Sequence, residues 1–222
     1  MSKTVLVVAA HPDDEVLGCG GTIAAHRLKG DQVHVAILAQ GLASRGEVDE
    51  AERARLHQAA RDAQTILGAA SLSLFDFPDN RLDSIDLLDL VKVVEGLLAR
   101  HRPSIVYTHF ADDLNIDHRR TYQAVMTACR PIEGSSVESL LCFEVPSSTE
   151  WSNCPFTPNW YVDISGTLEK KVRALEAYAG EMRPFPHPRS IEGTKHLAAW
   201  RGATAGFMAA EAFVLARKRC VI

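Results

Sequence analysis

The stretch Val5-Leu6-Val7-Val8-Ala9-Ala10-His11-Pro12-Asp13-Asp14-Glu15-Val16-Leu17-Gly18-Cys19-Gly20-Gly21 decides how this 222-residue chain is read. Six apolar residues in a row are far too few to cross a bilayer and show no polar alternation, so they predict a strand covered on both faces. A histidine and three acids follow where that strand ends. The small residues after them lead into a helix.

Working outward, similar apolar runs bounded by polar turns recur at residues 33–38, 72–75, 105–107 and 140–145. Helical patterns lie between them. Over residues 51–67, Leu56, Ala59, Ala60, Ala63, Ile66 and Leu67 recur at three-and-four spacing, and Gly68 stands where a helix would end. Residues 84–100 repeat the pattern, with Ser84 as candidate N-cap and Pro103 beyond the basic end. Strands alternating with helices predict an α/β fold: a Rossmann-like three-layer arrangement with a mostly parallel sheet and helices on both faces. The last seventy or so residues, interrupted by Pro155, Pro158, Pro184, Pro186 and Pro188, read as an elaborated C-terminal rim ending in a largely helical region over 190–212.

The composition bounds the function. Hydrophobic residues make up 46% and charged residues 23%, ordinary values for a globular chain whose length suits a single domain over 1–222. A net charge of −4 gives no electrostatic case for binding nucleic acid or an anionic membrane. Five scattered cysteines without a C-x-x-C pair suggest neither a disulfide framework nor a cysteine-rich zinc site, which fits a cytoplasmic protein. No signal peptide or membrane span is expected. Small residues around 202–210 would permit close helix packing, either inside the domain or in a homo-oligomer.

In parallel sheets ligands collect at the carboxyl ends of the strands, so the polar segments there carry the chemistry. His11 and Asp14, three apart at the strand-to-helix turn, can aim at one point with Asp13 beside them. A second cluster, His109-Phe110-Ala111-Asp112-Asp113-Leu114-Asn115-Ile116-Asp117-His118, follows the strand at 105–107. Asp117 is a candidate N-cap for the next helix, or else orients an imidazole, and His118 falls in its first turn. Asp112 and Asp113 read as loop-solvating acids. His11, Asp14 and His118 offer two imidazoles and one carboxylate to a metal with a fourth position open, the pattern of catalytic zinc. Asp13 beside that metal can take a proton from a water that attacks an amide carbonyl.

The segment Ala10-His11-Pro12-Asp13-Asp14-Glu15, paired with Asp113-x-Asn115-x-Asp117-His118, resembles the LmbE-like (PIG-L-like) N-deacetylase family. Gly41, the helix ending at Leu67-Gly68, Phe77-Pro78-Asp79 and Glu211-Ala212-Phe213 support the likeness. The resemblance implies zinc on His11, Asp14 and His118, Asp13 as general base, and an N-acetylated amino sugar or glycoconjugate as substrate. It also implies substrate contacts for Arg55 and Asp79. Many members carry a histidine where Asn115 stands, so the proton for the departing amine is expected from another residue. His187, in a proline-stiffened loop, is the first candidate and His109 the second; Asn115 can still donate its amide to an oxyanion.

Three other functions fit the sequence less well. A dinucleotide-binding protein would need a third glycine at Ile23 and its glycine turn directly after the strand, where His11–Glu15 sits instead. A magnesium phosphoesterase built on Asp13, Asp14, Asp112 and Asp117 would want oxygen ligands only, not two histidines. A non-catalytic sugar-binding module would be expected to have lost the base or one of the metal-binding residues. His26, His34, His57, His101 and His196 read as surface or structural histidines without an acidic partner.

Overall fold

The computed structural model describes residues 2–41 and 49–220; Met1, residues 42–48 and residues 221–222 lie outside the described residues. The elements run β1 (Thr4–Ala9), α1 (Asp14–Leu28), β2 (Gln32–Ala39), α2 (Glu50–Leu67), β3 (Ser71–Phe77), α3 (Leu87–His101), β4 (Ile105–His109), α4 (Ile116–Ala128), β5 (Ser139–Phe143), β6 (Trp160–Asp163), α5 (Leu168–Ala177), α6 (Ile191–Ala205) and β7 (Ala210–Lys218). They form a seven-stranded sheet in the order β3-β2-β1-β4-β5-β7-β6. The first five strands of that order are parallel, and β7 runs antiparallel to both β5 and β6. This is the expected Rossmann-like α/β fold with a mostly parallel sheet.

The unbroken hydrophobicity of β1 has a direct cause: the strand is buried on both sides. Val5, Val7 and Ala9 face one core with α1, α2 and α5, whereas Leu6 and Val8 face a second core with α3 and α4. Each such valine or leucine side chain, taken fully out of water, contributes about 1.5–3 kcal/mol. The amphipathic helices supply the matching faces, Leu56, Ala60, Ala63 and Leu67 from α2 to the first core and Leu90, Val91, Val94 and Leu97 from α3 to the second.

Helix ends follow local chemistry. Gly68 closes α2 in the left-handed conformation, as its position predicted. Ser84 does not cap α3. It ends a short 3-10 turn over Leu82–Ser84, and its hydroxyl donates to the Arg81 carbonyl, so α3 starts only after Asp86. Asn115, not Asp117, caps α4, its side chain accepting the N–H of Asp117 at 2.8 Å.

The C-terminal region is more regular than its prolines suggest. The rim contains two strands and the helix α5, and the helix expected over 190–212 stops at Gly206 so that residues from Ala210 onward enter the sheet. A buried ion pair joins this region to α1. Glu211 on β7 accepts the N–H groups of Gly21 and Thr22 at 2.9 and 2.7 Å and pairs with buried Lys171 of α5. Those N–H groups lie just past the kink in α1 at Cys19 (φ −148°, ψ 24°), so Glu211 acts as the cap for the second half of the helix. The glycines of α1 serve packing, not a phosphate: a Cβ on Gly18 would lie 2.3 Å from the Phe143 ring, and one on Gly21 2.8 Å from Ile164.

Candidate metal centre

The chain runs outward from β1 through β2 to β3 and returns to β4 on the other side of β1, which makes the carboxyl ends of β1 and β4 a topological switch point. Both polar segments leave the sheet there. Asp14 Oδ2 is the hub: it accepts the His11 N–H at 2.8 Å and lies 3.2 Å from His11 Nδ1 and 3.2 Å from His118 Nε2. His11, Asp14 and His118 each present a ligand atom, all within 4.8 Å of one another. Two imidazoles and a carboxylate converging in this way fit a tetrahedral transition-metal site that keeps a position open.

The outer ring of each imidazole is also occupied. His11 Nε2 lies 3.0 Å from Asp117 Oδ2 and 3.2 Å from Asp79 Oδ1. Asp117 is held in turn by the N–H groups of Asn80 and Leu82 at 2.6 and 2.9 Å. Asp117 therefore orients an imidazole, but that of His11 rather than of its neighbour His118. His118 Nδ1 faces Asp113 Oδ1 at 3.0 Å, and Asp113 is anchored by the hydroxyls of Ser148 and Thr149 and the N–H of Asn115. The expectation that Asp113 only solvates a loop is corrected: the residue is buried behind His118. Carboxylates in this position fix the ring of a metal-binding histidine and make it a better donor.

The electrostatics agree with a cation site. Burial disfavours charge on His11, but the carboxylates of Asp117, Asp14 and Asp79 outweigh it and hold the imidazole pKa well above its usual value. His118 is likewise pushed up to about 9, with burial overcome by Asp14 and Asp113. Burial would raise Asp14, yet His118, His11 and His109 hold it well below the usual carboxylate range. Where protons crowd between acids and imidazoles, a divalent cation can replace them. His109 differs. Burial and the neighbouring His118 keep it neutral, and its Nε2 accepts the Ala10 N–H at 2.8 Å. It stacks on His118 with ring centroids 4.0 Å apart, which makes it a strut under that ring rather than an acid.

Asp13 sits at the edge of the cluster with its Oδ2 3.0 Å from Arg189 Nη1. Burial raises its pKa well above the ordinary value; Arg189 opposes this, while Asp14, Glu181 and Glu15 add to it. The result is a carboxyl group suited to hold a proton during a reaction. The cluster opens into a cavity of about 330 Å³ whose walls include His11, Asp13, Asp14, Asp79, Asn115, His118 and Arg189. Exposed Trp151 and Leu114 stand on its walls as well.

His109 apart, six of the eight residues singled out from sequence are thus brought together around this cavity. Asn115 is among them; its amide nitrogen donates to Asn80 Oδ1 at 3.0 Å while its oxygen caps α4. Two are not. Arg55 lies on the exposed face of α2, 3.8 Å from Asp49, and does not line the cavity. His187 does not line the cavity but adjoins residues that do: its Nδ1 accepts the Arg189 N–H at 3.1 Å, and its ring meets Trp151 edge-on. The sequence reading missed Asp113, Glu15, Asn80 and the engagement of Arg189 with Asp13. It also left His26 without an acidic partner, whereas Asp31 lies 2.7 Å from its Nδ1.

A strand-end cluster of this kind on a Rossmann-like sheet defines a class of α/β proteins with a candidate metal centre, and comparison with known proteins names the family. Residues 6–129 match the family described as PIG-L: GlcNAc-PI de-N-acetylase, and the chain belongs to it. It is 32% identical over 152 residues to an uncharacterized deacetylase, YaiS, of Escherichia coli, covering 66% of this chain and 76% of that protein. It is 31% identical over 192 residues to the diacetylchitobiose deacetylase of Thermococcus kodakarensis, covering 81% and 70%. Among solved structures, that of GalB, the 4-carboxy-2-hydroxymuconate hydratase of Pseudomonas putida, superimposes with a TM-score of 0.80 at 26% identity over 99% of this chain and 98% of that one. Among the described residues no helix is long and apolar enough to cross a membrane.

Proposed function

We propose that this chain, as a single domain, is a zinc-dependent N-deacetylase that hydrolyses the N-acetyl amide of an amino sugar or sugar conjugate, releasing acetate and a free amine. The observation that carries the reading is the convergence of His11, Asp14 and His118 in a cavity that also receives the Asp13 carboxyl group. The de-N-acetylase family and the deacetylases among its relatives supply the substrate class.

His11, Asp14 and His118 would hold the zinc, which when bound polarises the amide carbonyl and acidifies a water. Asp13 takes the proton of the attacking water, aided by an environment that raises its pKa. The same carboxyl group then gives that proton to the departing nitrogen as the carbon–nitrogen bond breaks. This assigns both proton transfers to one residue: His109 spends its Nε2 on the Ala10 N–H, and His187, whose Nδ1 accepts the Arg189 N–H, is not among the residues that line the cavity. Arg189 holds Asp13 in place, and Asn115 has a second amide hydrogen to offer to the carbonyl oxygen.

The test is acetate and amine release from a panel of N-acetylated mono- and disaccharides and glycoconjugates by the zinc-loaded protein. Wild-type protein should release both in equal amounts, and Asp13→Asn should retain its metal yet lose at least about 100-fold in turnover. An Asp13→Asn variant with unchanged turnover would remove Asp13 from the mechanism, and no release from any N-acetylated substrate would remove the deacetylase reading.

A further inference from the structure

Glu15 is fully buried and takes no part in the proton transfers, yet it joins three separate segments. Its Oε2 accepts the backbone N–H of Asp13 at 3.1 Å. Its Oε1 accepts the side-chain amide of Gln64 on α2 and the hydroxyl of Tyr178, the residue that ends α5, each at 2.8 Å. The N–H that it grips belongs to the residue with the most unusual backbone in the site. Asp13 has φ 105° and ψ −30°, a conformation that L residues rarely adopt and that persists only where the surroundings impose it.

That backbone changes what the side chain does. An aspartate before a helix ordinarily adopts an extended conformation and spends a carboxylate oxygen on the N–H groups of the first turn. Asp13 makes no such bond; only its carbonyl serves the helix, accepting from Val16 and Leu17 at 3.0 and 2.9 Å. The carboxylate is free to line the cavity and meet Arg189. We propose that Glu15, clamped by Gln64 and Tyr178, is a positioning residue that holds the backbone of Asp13 in this rotated conformation and so aims its carboxylate at the reacting centre. The kinetic consequence rests on the deacetylase reading; the structural consequence does not.

The experiment compares zinc-loaded wild-type protein with Glu15→Gln, Glu15→Ala and Tyr178→Phe, measuring metal content, kcat and KM separately, and the Asp13 backbone by crystallography. Glu15→Gln keeps an oxygen acceptor and should hold Asp13 at positive φ with kcat within about fivefold of wild type. Glu15→Ala should keep its metal and KM, return Asp13 to negative φ, and lose about 100-fold in kcat, the order expected when a reacting group is misplaced by about 1 Å. Tyr178→Phe, which removes one hydroxyl and keeps the ring, should lower kcat by several-fold at constant KM. If Glu15→Ala does not fold, Tyr178→Phe decides, and an unchanged kcat with Asp13 unmoved overturns the proposal. Asp13 still at positive φ in Glu15→Ala also overturns it, as does a fall in kcat that only tracks lost metal. Should wild-type protein release no acetate, the deacetylase reading fails by itself, and the Asp13 backbone in Glu15→Ala still decides whether Glu15 positions it.

Discussion

Removing the carboxylate behind His118 should weaken metal binding without touching any of the three metal-binding side chains. Asp113 is buried, 3.0 Å from His118 Nδ1, and accepts from Ser148, Thr149 and the Asn115 N–H. Partners of metal-binding imidazoles are commonly worth about 10–100-fold in metal affinity, or about 1.4–2.8 kcal/mol. Asp113→Asn keeps the volume and an oxygen but loses the charge, so it should lie near the tenfold end. Asp113→Ala also leaves the two hydroxyls and the N–H of Asn115 short of a partner, at about 1–3 kcal/mol for each group that water cannot reach. It should lie near the hundredfold end and lower the melting temperature of the metal-free protein as well. The assay is competition for zinc against a chromophoric chelator of known affinity, beside calorimetry of the metal-free proteins. Affinities of both variants within twofold of wild type, in folded protein, would refute the reasoning.

Other predictions follow from the same geometry. In the metal-free protein, His118 has its pKa raised from 6.5 to about 9, and His11 is raised too, so the stabilisation from the charged imidazoles is full below pH 6.5 and is lost as pH rises through about 9. The metal-free melting temperature should therefore fall across that window while the increment on adding zinc grows, because zinc must displace those protons; calorimetry with and without zinc checks both trends, and a metal-free melting temperature that rises would contradict them. Glu211→Ala leaves Lys171 buried and unpaired and uncaps the second half of α1, which should cost about 3–5 kcal/mol. At about 2–4 °C per kcal/mol this is a loss of about 6–20 °C in melting temperature by calorimetry, and a shift under about 2 °C would speak against the cap. Arg55→Ala on the exposed face of α2 and His187→Ala, outside the cavity lining, should each leave turnover on N-acetylated sugars within about threefold of wild type; a hundredfold loss in either would return that residue to the mechanism.

Much of the fold was legible because its signals are local. The apolar runs of β1, β2, β4 and β5 are buried on both faces, and the periodicity of α2 and α3 matches the cores they fill. β6 and β7 were not legible. β6 is four residues long, and β7 (Ala-Glu-Ala-Phe-Val-Leu-Ala-Arg-Lys) is rich in good helix formers whose strand state depends on antiparallel pairing with β5 and β6, a tertiary effect that outweighs propensity.

The candidate site divides in the same way. His11, Asp13 and Asp14 fall within one turn, and the acid-rich segment ending at His118 leaves the neighbouring strand, so spacing and strand order suffice to suggest them. The partners that hold them come from far along the chain. Arg189 is 176 positions from Asp13, Ser148 is 35 from Asp113, and Tyr178 is 163 from Glu15, so no periodicity in the sequence records these contacts. The position of Asp113 five residues before His118, next to the cap residue's neighbour Leu114, was the one local sign that it could turn inward with that segment. Which imidazole Asp117 orients was not legible, because its reach to His11 depends on the Asn80–Leu82 turn that grips its carboxylate.

The most direct test of the central claim is zinc content per chain by elemental mass spectrometry in purified wild-type protein beside His118→Ala. The account predicts one zinc per wild-type chain and loss of most of it in the variant, with the variant still folded by calorimetry. A wild-type protein that takes up no zinc when it is supplied, or a folded His118→Ala that keeps a full equivalent, would contradict the assignment of His11, Asp14 and His118 as the metal site.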